Sequence, residues 1–347
     1  MRGNATGGAL RWIVAAAMLA SCRPSSPAGQ EPSGGSPIPA VATAPSPSPS
    51  PVDTAPARGT ARARDVSITV LSTSKATVGE GEWGFCALVD VDGERILFDT
   101  GAKRQTVLRN AKAAGVDLST VPHVVLSHHH GDHVGGLLTL RRSVSEHAPE
   151  ALRTVHVARG MFTPRRRATK TTQLNEMIPI RAAFEQTGGR FVVHDEPEQI
   201  VPGVWVTGPV PRVHPERNWS GSRRVPGDDG WIEDTLPESQ ALVIDTDEGL
   251  VVISGCGHAG IVNTLEHARS TIRSAKVRAA LGGFHLHKAS AEHLDWTAEQ
   301  LRGLSLESFY GAHCTGAKAV EHFGRSAIAE GGESREIAVG WTLTLGE

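Results

Sequence analysis

The chain of 347 residues has no surplus of either charge: 35 lysines and arginines stand against 37 acidic residues, for a formal net charge of -2. A nucleic-acid partner needs a basic face whose contacts release counterions, so this balance speaks against DNA or RNA. A bilayer-spanning helix is missing from the N-terminal stretch. The apolar run from Trp12 to Ala20 is too short to cross as a stable helix, and behind Arg2 and Arg11 it reads as a secretion signal instead. Cysteine is scarce. After Cys22 only Cys86, Cys256 and Cys314 remain, and an odd number in an exported chain does not make a disulfide framework. Phosphate cradles are missing too, since "EGGES" and "GGF" fit neither the P-loop nor the dinucleotide pattern. What the chain does have is 39% hydrophobic residues, enough for a real core in one large domain or two ordinary ones.

The signal ends in Leu19-Ala20-Ser21-Cys22, which resembles the lipobox of bacterial lipoproteins. The resemblance implies that Cys22 is lipidated and becomes the mature N-terminus, so that residues 1–22 form a lipoprotein signal peptide. No acidic residue follows directly, which points to the outer membrane of the cell envelope. Residues 23–64 are rich in proline, serine and alanine. They offer little to bury against their ordering entropy and read as an extended tether. The folded domain is expected over 65–347.

That domain opens in strand language. "DVSITVLST" alternates, and "GFCALVDVDGERILFDTG" is two apolar runs about a "VDGE" turn, as in a hairpin. A helix pattern follows at about 103–114. Next, "VPHVVLSHHHGDH" runs from a buried strand straight into four histidines and an aspartate within residues 128–133, and "GGLLTLRRSVSEHA" is helical after it. In an extended segment residues two apart project to one side. His128 and His130 therefore converge on one point while His129 faces away. Asp132 and His133, where the chain turns into the helix, offer a carboxylate and an imidazole to a second point. Such donors suit a borderline ion such as zinc, and two points a few ångströms apart suit a two-metal site. Later segments repeat the pattern: "GLVVISG" delivers Cys256 and His258, "VRAALGGFHLH" delivers His285, and "LESFYGAHCTG" delivers His313, each after a strand. Several strand ends bearing histidine assemble a site along one sheet edge.

His128-x-His130-x-Asp132-His133, with its preceding strand and following glycines, resembles the signature of the metallo-β-lactamase superfamily. The segments around Cys256, His285 and His313 resemble its subgroup of dihydropterin-linked ribofuranosylaminobenzene 5'-phosphate synthases. The resemblance runs from about Ser67 to the C-terminus. It implies an α/β fold, the αββα four-layer sandwich, with two divalent cations at one edge: zinc first, with manganese or iron as alternatives. His128, His130 and His258 are implied for one cation, and Asp132, His133 and His313 for the other, with a bridging hydroxide. Gly255-Cys256 stands where the superfamily commonly has a bridging aspartate after a glycine, so Cys256 is a candidate ligand or neighbour of one, as is His285. The superfamily's usual third-histidine strand offers only His156, in mid-strand.

The implied chemistry is metal-assisted hydrolysis of a small ester, phosphoester or lactone, with Asp132 orienting the nucleophile or taking its proton. A transferase like the subgroup's synthases is the alternative, weakened by an exported location, and a non-catalytic metal-binding lipoprotein is a third. Two long segments, 161–190 and 208–238, read as irregular lids that wall the pocket. Arg165, Arg166 and Arg167 within them read foremost as a solvated face and secondarily as an anion site. Trp219 and Trp231 either stack on a substrate ring or pack the lid.

Overall fold

The computed structural model describes residues 61–346. The expected signal peptide, Cys22 and the linker as far as residue 60 lie outside the described residues. Packing begins slightly upstream of residue 65. Ala63 is buried and donates its amide to the Asp245 carbonyl at 2.8 Å. No helix among the described residues is long and apolar enough to cross a membrane.

Two seven-stranded sheets form the centre. In the first the spatial order is Thr342–Leu345, Val66–Ser72, Cys86–Val91, Glu94–Phe98, His123–Val125, Thr154–Ala158 and Arg190–His194. In the second it is Ser334–Glu336, Ser308–Gly311, Val277–Gly282, Gly249–Ser254, Ala241–Thr246, Val204–Val206 and Glu198–Val201. Their strands are apolar on both faces, and side-chain alternation assigns each face to a different core. Ala87, Val89 and Val91 pack between the sheets with Ile244, Val251 and Ile253. Cys86 and Leu88 point outward to Val107, Leu137, Leu140 and Phe184 on helices Thr106–Ala113, Leu137–Ser145 and Met177–Glu185. Val243, Leu250 and Val252 do the same toward helices Ile261–Thr271, Ala291–Gly303 and Ala317–Ser326. The result is the four-layer αββα sandwich. The expected hairpin is present, turning at Asp92 and Gly93 with φ of 52° and 88°. Two consecutive positive φ angles are what the right-handed twist of a two-residue hairpin requires.

Within each sheet, the strands that lead into the histidines lie in a parallel stretch. His123–Val125 lies parallel to Glu94–Phe98 and Thr154–Ala158, and Gly249–Ser254, Val277–Gly282 and Ser308–Gly311 are mutually parallel. Parallel strands put all their carboxyl ends on one rim, where the loops at 99–105, 126–130, 255–260, 283–290 and 312–316 meet.

The two segments read as irregular are not wholly so. Residues 161–190 contain the helix Met177–Glu185, whose Met177 and Phe184 are buried against the first sheet. Pro179 falls in its first turn, where the amide would lack an intrahelical partner anyway. Residues 208–238 contain the hairpin Arg223–Gly227 and Gly230–Glu233, which pairs with Arg166–Arg167 as a separate three-stranded sheet. Tertiary pairing across more than fifty residues makes this sheet, so no local periodicity announces it.

Candidate metal centre

Regular strand structure stops at Val125, and the chain reaches a one-turn helix, Gly131–Val134, through residues 126–130. His128 and His130 do converge, with ring centroids 4.6 Å apart. His129 does face away, its Nδ1 lying 2.6 Å from Glu238 Oε1. From the second sheet, His258 brings Nε2 to 3.2 Å from His128 Nε2 and its ring to 4.9 Å from that of His130. Asp132 Oδ2 is 3.3 Å from His313 Nε2 and 3.9 Å from His133 Nε2. Cys256 Sγ sits in the middle, 3.2 Å from His133 Nε2. Ligand-type atoms of Asp132, His133, Cys256 and His313 all lie within 4.8 Å of one another, as do those of His128, Cys256 and His258 and those of His128, His130 and Asp132. His285 joins a further group with Cys256 and Cys314, and its ring is 4.9 Å from that of His258.

The partners of these rings fix where the protons are. Ser127 spends its one hydroxyl proton on Asp99 Oδ2 at 2.7 Å, so its oxygen accepts from His128 Nδ1–H at 2.9 Å. His133 Nδ1–H donates to Asp99 Oδ2 at 2.7 Å, and His258 Nδ1–H donates to the Asn218 carbonyl at 2.5 Å. A neutral imidazole has one proton, so Nε2 of His128 and of His258 is left as a bare lone pair. Two such lone pairs, on His128 and His258, face each other at 3.2 Å. That contact is repulsive without something positive between them. His130 Nε2 and both ring nitrogens of His313 are buried without a hydrogen-bond partner. Imidazole nitrogens held by outer partners, with a carboxylate and a thiol, are the donor set of a divalent borderline cation, which these residues fit.

Electrostatics agree. Burial, then the neighbouring imidazoles, pushes His128 and His130 well below the usual histidine range, and burial followed by His285 pushes His258 down to about 3. Burial alone would lower His133, yet the carboxylates of Asp99 and Asp132 outweigh it and lift the ring to about 9. Burial would raise Asp132, but His133 and His313 beside it hold it well below the carboxylate range. Backbone strain gathers here as well. Asp99, His285 and His313 have φ of 56°, 51° and 48°, a left-handed conformation that costs about 1–3 kcal/mol per non-glycine residue. Gly255 is required by close approach. A Cβ there would stand 2.1 Å from Ser127 Oγ and 2.5 Å from Asp99 Oδ2.

The residues that orient the rings were not identified from sequence. Asp99 ends the "ILFDTG" strand, and its position at a strand end beside a glycine was the available signal. Ser127, Asn218 and Cys314, whose Sγ is 3.3 Å from that of Cys256, had no local signature. Arg165 corrects the reading of the arginine triplet. It is fully buried, bound to both Asp234 and Glu238, and belongs neither to a solvated face nor to an anion site. Consecutive residues of an extended segment point different ways: Arg166 stacks on Trp231 at 4.1 Å while Arg167 is exposed. His156 lies away from the centre in a separate array. Glu198 accepts from His194 Nδ1–H at 2.7 Å, His194 Nε2 from His156 Nδ1–H at 2.9 Å, and His156 Nε2 from His123 Nδ1–H at 3.0 Å.

A cavity of about 160 Å³ opens onto the centre, lined by His130, His258 and His285 together with Trp219, Ser220, Arg223, Asp234 and Leu236. A larger hollow, about 680 Å³, lies by Asp65 and Glu248 at the opposite strand ends, with no histidine or cysteine in its lining. Only the smaller one reaches the candidate ligands.

Comparison with known proteins bears on the family and the fold. The model of the metallo-β-lactamase superfamily matches residues 83–269. A 7,8-dihydropterin-6-methyl-4-(β-D-ribofuranosyl)-aminobenzene-5'-phosphate synthase of Methanocaldococcus jannaschii is 27% identical over 269 residues, 75% of this chain and 90% of the relative. A solved metal-dependent hydrolase of the β-lactamase superfamily is 28% identical with a TM-score of 0.66, over 81% of this chain and 100% of that one. A metallo-β-lactamase fold protein from Bacillus subtilis, 10% identical with a TM-score of 0.53 over 81% and 99% of the two chains, shares the fold.

Proposed function

The chain belongs to the metallo-β-lactamase superfamily, and on that premise we propose that it is a dinuclear metal-dependent hydrolase. His128, His130 and His258 would hold one cation and Asp132, His133 and His313 the other, with the Cys256 sulfur a further donor within reach of both groups. Zinc is the first candidate for both positions. The observation that carries this reading is the pair of bare nitrogens on His128 and His258, facing at 3.2 Å.

When bound, the cations supply Lewis acidity, lowering the pKa of water and polarising the attacked oxygen. The chain supplies orientation. Asp99 orients the ring of His133 directly and fixes the tautomer of His128 through Ser127, and the Asn218 carbonyl fixes His258. Asp132 keeps a quarter of its side chain exposed beside His313, so its Oδ2 can orient an incoming water and take its proton. The wall built by Trp219, Ser220 and Arg223 limits solvent and admits a small molecule. A small ester, phosphoester or lactone is the substrate class, and the N-terminal sequence extends the proposal to a lipid-anchored protein of the cell envelope. The Methanocaldococcus jannaschii relative favours a second reading, a transferase of the synthase kind; an exported chain is poorly placed for cytoplasmic pterin precursors.

The test is metal analysis of the purified protein together with assays on phosphodiester, lactone and β-lactam substrates. Asp132→Ala is expected to lower turnover by about 10²- to 10⁴-fold while circular dichroism shows the fold kept. A chain that takes up no metal, or an Asp132→Ala variant as active as the parent, would overturn the proposal. Bound ions without turnover on any substrate would establish the non-catalytic reading.

A further inference from the structure

The arginines around the mouth of the centre are mostly engaged. Arg165 is buried between Asp234 and Glu238. Arg166 stacks on Trp231, and Arg217 pairs with Glu233. Arg212 spends its Nη2 on the carbonyls of Thr235, Leu236 and His258, and Arg224 its Nη1 on those of Gly221 and Arg223. Arg223 differs. It is half-buried, it lines the cavity above His130, His258 and His285, and among the described residues it has no carboxylate within ion-pair distance. Its side-chain partner is His129 Nε2 at 3.3 Å, while His129 Nδ1–H goes to Glu238. One donor of a five-donor fork is thus occupied.

Asp234 lines the same cavity and Asp132 lies near enough to act on the guanidinium, yet neither pairs with it directly. A partly desolvated guanidinium left without a direct ion pair is costly, and its planar fork matches a carboxylate or phosphate. The link Glu238–His129–Arg223 braces it from behind, so little side-chain entropy remains to be lost on binding. A cavity of about 160 Å³ is well below the ~300–1,000 Å³ of a site that encloses a drug-sized ligand; it suits one small group held next to the reacting atoms. We infer that the substrate is a small organic anion, carrying a phosphate or carboxylate beside the bond that is cleaved, and that Arg223 receives this anionic group. This inference rests on the hydrolase reading, which it deepens by naming the substrate class.

The experiment is calorimetric titration of the purified whole protein with phenylphosphonate, both metal-loaded and after chelation, with ion content measured in parallel. Arg223→Gln is expected to weaken binding by about 10- to 100-fold, and Arg223→Lys to recover part of it, since lysine restores the charge without the fork. Arg223→Met, which preserves the apolar stem, decides the matter should Arg223→Gln not fold. Equal affinity in the folded variant and the parent, or a parent that does not bind the probe, would overturn the inference. The two ideas fail separately. Arg223-dependent binding in a protein that takes up no ions sinks the hydrolase reading alone, and bound ions with Arg223-independent binding sink the inference alone.

Discussion

Two groups of buried histidines lie in this molecule, and they are built in opposite ways. In the array His123–His156–His194–Glu198, each ring donates one proton to the next acceptor, ending on a carboxylate. Every lone pair between adjacent rings meets a proton, so the array is complete with protein atoms alone. At the metal centre the outer nitrogens of His128 and His258 are spent on Ser127 and Asn218, and their inner ones face each other with no proton between them. Burial, ring type and spacing are alike. The difference is where the protons are sent, and it separates a structural histidine cluster from one that needs a cation.

The largest effect is expected from removing one of the facing nitrogens. His258→Ala should lose about one bound ion per chain, as in a site stripped of a ligand, and plasma mass spectrometry reads this directly. Retained stoichiometry would erase the contrast between the two groups. Next comes the residue that sends the protons outward. Asp99→Asn keeps the shape but presents an amide where two donors point, and loss of such an outer partner should weaken zinc affinity by about 10- to 100-fold, measured by competition with a chromophoric chelator.

The array should respond to acid instead. Burial, then His194 and His123, pushes His156 from 6.5 down to about 3. Between those values the unfolded chain binds the proton and the folded one does not, so stability is full above pH 6.5 and is lost as pH falls toward 3. The slope reaches about 1.4 kcal/mol per pH unit. His156→Gln should flatten that limb in urea denaturation while leaving ion content unchanged; an unaltered slope would mean that His156 is not held neutral. The smallest effect belongs to the exposed end. Glu198→Gln still accepts from His194, and with the carboxylate 63% exposed the loss should stay below about 1 kcal/mol, a small shift in melting temperature.

The histidine signature, its strand and its following helix were legible because each is local. A buried apolar run reads as a strand from its own residues, and two-residue alternation sends His128 and His130 one way and His129 the other. The hairpin turn at Asp92-Gly93 was legible for the same reason. Arg165 was not. Three adjacent arginines look alike on paper, and only the approach of Asp234 and Glu238, some seventy residues onward, separates the buried one from its neighbours, one half-buried and one exposed. The three-stranded sheet and the helix Met177–Glu185 within segments read as irregular failed similarly, since partners on distant elements stabilise them.

By itself the sequence determined individual strands and helices and the residue types that meet at the rim, because periodicity and motif spacing act within a few residues of chain; the layer architecture came through the family resemblance that those motifs carry. Tertiary structure alone decided which nitrogen of each imidazole is free, that Cys256 stands between the two ligand groups, and that Arg223 rather than the arginine triplet faces the cavity. Those outcomes depend on hydrogen-bond partners and approach distances between segments up to 130 residues apart, where the chain's local preferences carry no information and packing of one sheet against the other does.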